Sequence, residues 1–488
     1  MKKLTPHLAC ALLIAGCAVG PDYTRPELTQ PANWRNGNAL PVSKNTADLA
    51  NLAWWTLIED PVLDALVAEA LANNRDLKIA AARIDEAAGI LGTTRAQLFP
   101  QIGADLNGNR AQSSDRGLTP RPATVNRINE QYSAAFNVGW EIDLFGRLRR
   151  ATEASRADLL ATEEARSGLA LSLATTVANS YISLRDLDAE LDIARLTLQT
   201  REESLRIFEL RYKGGVVSEM EVAQVRSEYE AARIAVPTAE LAVAQQENAI
   251  SVLLGRLPGP IPRGKALAEM GLPLPPVSLP SAVLERRPDI RQSEQNLIAN
   301  NARIGVAKAA YFPSVTLTGL LGSSSVSFSN LFSGPARVWS YGADVAMPIF
   351  TAGSIFGQVK SAEARQAQAL EQYRKTIENA FREVDDALIS GIKSREIVDG
   401  RIRQVDSLKI YAKNARLRYD AGYSSFLEVL DAERSLFQSQ IYESQARAQA
   451  LIAVTTLYKT LGGGWEASIT PASPPATETA DIKTKETE

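Results

Sequence analysis

Two periodicities alternate along this 488-residue chain, and their order repeats. From Val62 to Leu98 apolar residues recur at helical spacing with a break near Asn73-Asn74. The run stops before Phe99-Pro100, because proline disfavours helix at the residue preceding it. The period then drops to two. Tyr132, Ala134, Phe136, Val138, Trp140 and Ile142 alternate with Ser133, Ala135, Asn137, Gly139, Glu141 and Asp143, one face apolar and aromatic, the other carrying charge. Trp339, Tyr341, Ala343, Val345 and Met347 alternate in the same way with Ser340, Gly342, Asp344 and Ala346. Shorter runs at Ile102 to Leu106 and Val315 to Leu321 supply partners. Strands are expected at about 101–107, 131–144, 314–322 and 338–350, with polar loops at about 107–130 and 322–337. A lipid-facing strand or the edge of a soluble sandwich would both fit this alternation.

After each strand pair the helical period returns for a long stretch. Leu184, Leu187, Leu191, Ala194, Leu198, Leu205, Phe208 and Tyr212 keep a 3-4 spacing broken only by Arg201. Ile377, Phe381, Val384 and Leu388, then Val398, Ile402, Val405 and Leu408, do likewise, and both stripes read as core. A helix from 147 to about 213 would be roughly 100 Å long at ~1.5 Å per residue, far beyond a compact domain. It should return as a second helix to about Leu254, kinked or interrupted at Pro237. Each long run closes with Arg-Tyr, turns at a glycine and reopens behind a serine with an acid three residues on: Leu210 to Val222, and 207 residues later Leu417 to Val429. A helix C-cap followed by a capping box makes each a hairpin tip.

The likeness extends further. Arg95 to Pro100 recurs as Lys308 to Pro313 at an offset of 213, and Trp140 to Gly146 corresponds to Met347 to Gly353 at 207. Six extra residues therefore lie in the first copy between these landmarks, in an interval that should hold a loop. The expected organisation is a signal peptide (1–16), an extended N-terminal segment held on a surface by its tryptophans (17–60), a first repeat (61–257, hairpin 147–255), a Pro-rich linker (258–280), a second repeat (281–465, hairpin 353–461) and a disordered tail (466–488).

Composition removes most chemistry. The only histidine is His7 and the only cysteines are Cys10 and Cys17. Nothing after residue 17 can build a Ser-His-Asp or Cys-His nucleophile, a His or Cys zinc site, or a disulfide, so neither an enzyme nor a cofactor is expected. The formal charge of −3 becomes −5 once Lys2 and Lys3 leave with the signal, which argues mildly against nucleic acid. Met-Lys-Lys, the short apolar run Leu8 to Ala15 and Gly16-Cys17 read as an export signal too short to span a bilayer. Leu13-Ile14-Ala15-Gly16-Cys17 resembles a bacterial lipobox, which implies cleavage before Cys17 and a covalent lipid on it; an ordinary signal with an incidental Cys is the alternative. By the sorting rule of enteric lipoproteins, Ala18 after the Cys points to the outer membrane.

Four strands cannot close a membrane barrel, and an open edge in lipid leaves backbone groups unpaired, so the chain must oligomerise through its strands. Two copies give eight strands, three give twelve and four give sixteen. Gly16-Cys17-Ala18-Val19-Gly20-Pro21-Asp22-Tyr23 with Arg25-Pro26, Trp140 to Arg147, Arg287-Pro288-Asp289-Ile290-Arg291 with Phe312-Pro313, and Leu461-Gly462-Gly463-Gly464 resemble the TolC-like outer membrane factors, in particular the lipoprotein (NodT-type) branch serving resistance-nodulation-division pumps. The resemblance covers roughly residues 17 to 465.

It implies a mainly α fold with a membrane β-barrel: a homotrimer whose twelve-strand barrel continues as an α-helical periplasmic barrel, working as the exit duct of a multidrug efflux pump. The implied partners are a periplasmic adaptor (membrane fusion protein), an inner-membrane pump and outer-membrane lipid. The adaptor would dock on the tips, through Gly214, Gly215, Ser218, Gly422 and Ser425. A constriction near the second tip would be lined by Tyr419, Glu428 and Asp431. Ser424 stands where the family has a latching Arg, which leaves Arg416 or Arg418 to substitute. Glu428 and Asp431 as ordinary solvated carboxylates at a helix start remain the plain alternative. Two other readings stay open: a duct for proteins or metal ions, the latter disfavoured by only Met220, Met270 and Met347 after processing, and a periplasmic adaptor-type coiled coil without a barrel.

Overall fold

The computed structural model describes residues 18–27, 31, 33–35, 53–114, 126–271 and 280–463. Its elements are α1 (Pro61–Asn73), α2 (Arg75–Ala96), β1 (Gln101–Gln112), β2 (Ile128–Ile142), α3 (Arg147–Lys213), α4 (Glu219–Leu253), α5 (Pro280–Arg286), α6 (Pro288–Ala309), β3 (Ser314–Ser325), β4 (Arg337–Ala346), α7 (Ser354–Asp420) and α8 (Phe426–Thr460). The duplication is one of element lengths as well as of sequence: 22 residues in α2 and α6, 12 in β1 and β3, 67 in α3 and α7, 35 in α4 and α8. Compactness does not follow the repeats. One compact unit takes Ala82–Glu163 and Gln292–Lys375 with the chain up to Glu27, and the other takes Leu28–Ala81, Glu164–Arg291 and Thr376–Glu488. Each unit holds part of both copies; in the second, Tyr181 and Ile250 of the first hairpin share a core with Leu451 and Tyr458 of the second.

In the first unit β1-β2-β3-β4 form one antiparallel sheet. Gln101 pairs with Gly139 and Ser314 with Ala346, so first strands align at an offset of 213 and second strands at 207. The six extra residues therefore lie in the loop after β1. Register sorts the side chains into rows. Ile102–Val138–Gly319–Tyr341, Ala104–Phe136–Leu321–Trp339 and Trp140–Leu317–Ala343 occupy one face. Asp105–Ala135–Gly322, Asn107–Ser133–Ser324 and Glu141–Thr316–Asp344 occupy the other. Among the described residues nothing covers the apolar face: Ile102, Leu106, Phe136, Leu321, Trp339 and Tyr341 are all exposed.

Strand ends differ from expectation. β1 runs five residues past 107 because Asn107 to Gln112, weak strand formers, are held by pairing with Ser133 to Ile128. β4 stops at Ala346, since Pro348 cannot donate to a ladder. The chain after residue 17 is sewn onto this unit. Val19 N–H donates to the Phe145 carbonyl at 3.0 Å, the Asn301 amide to the Pro21 carbonyl at 2.9 Å, Arg150 to Asp22 at 2.6 Å, and Tyr23 and Arg25 to Glu294 at 3.1 and 3.0 Å. A Cβ on Gly20 would sit 2.5 Å from Gly305 Cα, which explains why two glycines meet there.

The second unit is helical around Trp54, Val67, Tyr181, Ile250, Leu254, Leu451 and Tyr458. Trp54 and Trp55 anchor their segment, but not as extended chain. They form a 3-10 turn, Trp54–Ile58, with both indoles buried, and Trp34 is buried edge-on to Phe381. The linker is partly core, with Ile261, Leu267 and Met270 buried. Asp60, fully buried, caps α1 through Val62 N–H at 2.9 Å and accepts from Tyr181 at 3.0 Å and Lys265 N–H at 3.2 Å, which ties the linker down. Asn74 separates α1 from α2 by accepting from the N–H groups of Asp76 and Leu77. α4 continues through Pro237, so of the two outcomes expected there the interruption does not occur. The α3 stripe is buried at Leu184, Leu191, Ala194 and Phe208, whereas Tyr212 at its end is exposed. No helix among the described residues is long and apolar enough to cross a membrane.

Candidate functional site at the hairpin tips

Both tips lie in the second unit and turn by the same backbone device. Gly215 (φ 74°) donates to the Tyr212 carbonyl and Val216 to that of Arg211; Gly422 (φ 77°) donates to Tyr419 and Tyr423 to Arg418, all within 2.8–2.9 Å. Paired bonds of this kind with a left-handed residue are a Schellman motif, and glycine meets the positive φ without strain. The next helices begin differently. At Ser218 the capping box closes in both directions, Glu221 N–H donating to Ser218 Oγ at 3.3 Å and Ser218 N–H to Glu221 Oε2 at 2.8 Å. Ser425 makes no side-chain cap, so the second box predicted from sequence does not form. Its acid, Glu428, turns to Arg418 at 4.0 Å.

Beneath the tips the two hairpins share a core of Phe208, Val222, Val225, Ala415, Phe426, Val429, Leu430 and Ala432. Tyr419 packs on it, stacked over Phe208 at 6.0 Å and edge-on to Phe426 at 5.1 Å. The Arg211 guanidinium lies 5.9 Å from both the Phe208 and Tyr419 rings and donates to the Tyr419 hydroxyl at 3.5 Å. Asp431 is exposed and accepts from Tyr411 at 3.3 Å. Tyr419 thus packs into the core shared by the hairpins, while Glu428 engages Arg418 and Asp431, one turn further along α8, engages Tyr411. Of the two arginines open to replace the missing latch, Arg418 reaches Glu428 while Arg416 pairs with Asp420 at 3.5 Å. Among the described residues the Ser424 hydroxyl is buried without a hydrogen bond.

Two features escaped the sequence. Arg201, the break in the α3 stripe, is buried and pairs with Glu433 at 2.6 Å and Glu228 at 3.9 Å, while Arg434 also binds Glu228, its Nε at 2.6 Å. Partners 27 and 232 residues away leave no local signal. The other is an apolar rim: Val216 and its counterpart Tyr423, Met220 and its counterpart Leu427 are all exposed at the tips. Gly214, Gly215, Ser218, Gly422 and Ser425 are exposed among them. Equivalent positions in both copies would have revealed the rim had the repeat been read for exposed residues too. Cys17 lies outside the described residues.

An exposed apolar sheet face, long paired hairpins and a duplicated plan are the features by which known proteins can be compared with this one. The profile of the family described as Outer membrane efflux protein matches twice, over residues 66–256 and 279–463. The chain belongs to that family. It is 35% identical to the solvent efflux pump outer membrane protein SrpC of Pseudomonas putida, over 96% of this chain and all of that one. It is 36% identical to the cation efflux system protein CusC of Escherichia coli O6:H1, over 95% of this chain and 99% of that one. Among solved structures, the CmeC outer membrane channel of Campylobacter jejuni superposes with a TM-score of 0.84 at 27% identity, covering 93% of this chain and 96% of the other. The two profile matches fall on the two copies, each holding a strand pair and a hairpin.

Proposed function

We propose that this outer-membrane efflux protein is the exit duct of a tripartite pump in a Gram-negative bacterium and works as a homotrimer without chemistry of its own. The observation that carries the reading is the sheet: four strands, one face apolar and the other polar, with neither β1 nor β4 paired on its outer edge among the described residues. Three copies joined edge to edge make a twelve-strand barrel with the apolar rows in lipid and Asp105, Glu141 and Asp344 toward the lumen. Covalent lipid on Cys17 fits this arrangement. Ala18, the next residue, lies against Gly146, where a Cβ would approach Ala18 Cα to 2.7 Å, at the junction of β2 and α3. A lipid there would enter the membrane at the level where strand gives way to helix.

The exposed tips, with Val216, Met220, Tyr423 and Leu427 around the turn glycines, supply an apolar docking surface for a periplasmic adaptor linked to an inner-membrane pump. Tyr419, Glu428 and Asp431 form the constriction, with Arg418 in place of the latch. Small toxic compounds are the cargo class; relatives carry names from solvent and toluene to cation efflux. Native mass spectrometry and planar-bilayer recording of the detergent-extracted protein test the duct: three chains per particle and single-channel conductance are expected, and a non-conducting monomer would refute it. Glu428→Gln with Asp431→Asn should lower cation preference, because a ring of carboxylates in a narrow pore attracts cations. Gly422→Asp should abolish efflux while the trimer persists. Palmitate labelling lost in Cys17→Ala would locate the anchor.

A further inference from the structure

On the apolar sheet face the last row before the loops is Leu106–Ala134–Ser323–Arg337. A trough on the sheet is lined by the small side chains of Ala134 and Ser323, by Phe136, Leu321 and Phe332 from the β3–β4 loop, and by Arg337, with Asp105 also on its lining. The arginine's depth follows from register. Val345 to Arg337, like Ile142 to Ala134, spans eight residues, about 27 Å along the strand at ~3.4 Å each. A strand tilt of about 40° brings that to roughly 21 Å of height, close to the ~25 Å apolar band of outer-membrane barrels. Arg337 therefore falls at the headgroup boundary furthest from the helices that follow β2 and β4. Charge sets it apart from the other arginine on this face: Arg110 is neutralised by Glu130 at 3.1 Å, whereas the Arg337 side chain has neither an ion pair nor a hydrogen bond among the described residues.

We propose that this trough is a docking site for a phosphate-bearing, acylated glycolipid of the outer leaflet, its acyl chain lying over Ala134 and Ser323 and its phosphate held by Arg337. The planar guanidinium matches two phosphate oxygens at once, and an acyl chain covers apolar surface that no described residue covers. The inference rests on the barrel reading above, so the test first asks whether the particle is a trimer. Native mass spectrometry of the purified trimer then measures binding of lipid A with its phosphates and of the phosphate-free form. Wild type should prefer the phosphorylated form by about tenfold, the ratio expected of one charge-assisted contact. Arg337→Gln should abolish that preference, Arg110→Gln should keep it, and Ala134→Leu, by filling the trough, should weaken both forms. Equal binding of the two lipids by wild type, or an undiminished preference in Arg337→Gln, would overturn the site. A wild type that is not trimeric would instead count against the barrel.

Discussion

At the first tip Glu221 closes a capping box on Ser218; at the second, Glu428 holds the same place after Ser425 and turns instead to Arg418. The explanation lies one turn away. Arg418 corresponds to Arg211, whose guanidinium is occupied by the Phe208 and Tyr419 rings, so Glu221 is left to the local backbone donors. Phe208 itself corresponds to Ala415. Without a ring from that position, Arg418 makes no ring contact among the described residues and takes up Glu428. One large-for-small difference between the copies thus redirects two charges. A Ser-x-x-Glu signature states which bonds can form; a competing cation decides which one does.

Removing the ring should erase the difference, and this is the largest effect expected. Phe208→Ala empties the buried centre of the tip core and should cost about 3–5 kcal/mol per protomer. Thermal melting of the extracted protein should fall, and protease cleavage at Lys213 and Arg418 should accelerate. An unchanged melt would show that the ring cluster is not the core of the tips. Arg201 comes next. Its counterpart is Leu408, so the first copy carries a buried charge where the second carries an apolar side chain. Arg201→Met leaves Glu433 without its partner and should cost roughly 3 kcal/mol, whereas Leu408→Met should cost less than about 1.5 kcal/mol. Adding Glu433→Gln to Arg201→Met should recover part of the loss, and a double mutant no better than the single would remove the ion pair from the account.

What could be read from sequence depended on whether a signal was local. Strand faces, tip turns and long helices follow from spacing two, glycine and spacing 3.6 within a few residues of each position. Asn107 to Gln112 carry no strand signal of their own, because above the apolar band neither face is apolar and the alternation vanishes, although pairing with β2 holds them extended. Arg201 was visible only as an interruption. The second capping box was predicted and is absent, since its competitor, Arg418, lies across the turn. That the tryptophans hold the N-terminal segment follows from their size in a polar stretch; that Trp54 and Trp55 do so from a 3-10 turn inside a helical core does not, because the helices that bury them come from distant sequence.

A smaller contrast lies further along the same helices. Asp186 on α3 accepts from Ser444 on α8 at 2.5 Å and has Glu190 nearby, while its counterpart Lys393 pairs with Glu396 in solvent at 2.8 Å. Burial, with Glu190 adding to it, pushes the Asp186 carboxyl up to about 6 against the Ser444 hydrogen bond. An acid raised on folding binds protons more tightly in the folded chain. Its ionisation therefore erodes stability as pH rises from about 4 to about 6, and the penalty is complete above that. Asp186→Asn should stabilise the fold at pH 7.5 by on the order of 1 kcal/mol once solvent screening is allowed for, read as a higher melting temperature, and leave the melt unchanged at pH 4. A gain of equal size at both pH values would trace the effect to packing.

The finest test concerns the two serines. Ser218 Oγ accepts from Glu221 N–H at 3.3 Å, a long bond in an exposed setting, so Ser218→Ala should cost at the low end for a cap, roughly 0.5–1 kcal/mol. Ser425 has no side-chain cap to lose, and Ser425→Ala should cost only a few tenths of a kcal/mol. Hydrogen exchange reads the two sites in one sample. The Glu221 amide should exchange about two- to fivefold faster in Ser218→Ala, while the Glu428 amide, which lies 3.2 Å from the Ser425 backbone carbonyl, should be unaffected in Ser425→Ala. Phe208→Ala should then make the first tip resemble the second, because a freed Arg211 becomes a competitor for Glu221 and the Glu221 amide loses protection with Ser218 still in place. If that amide stays protected in Phe208→Ala, the choice between cap and ion pair is made by the backbone at Ser425, and the arginine is a bystander.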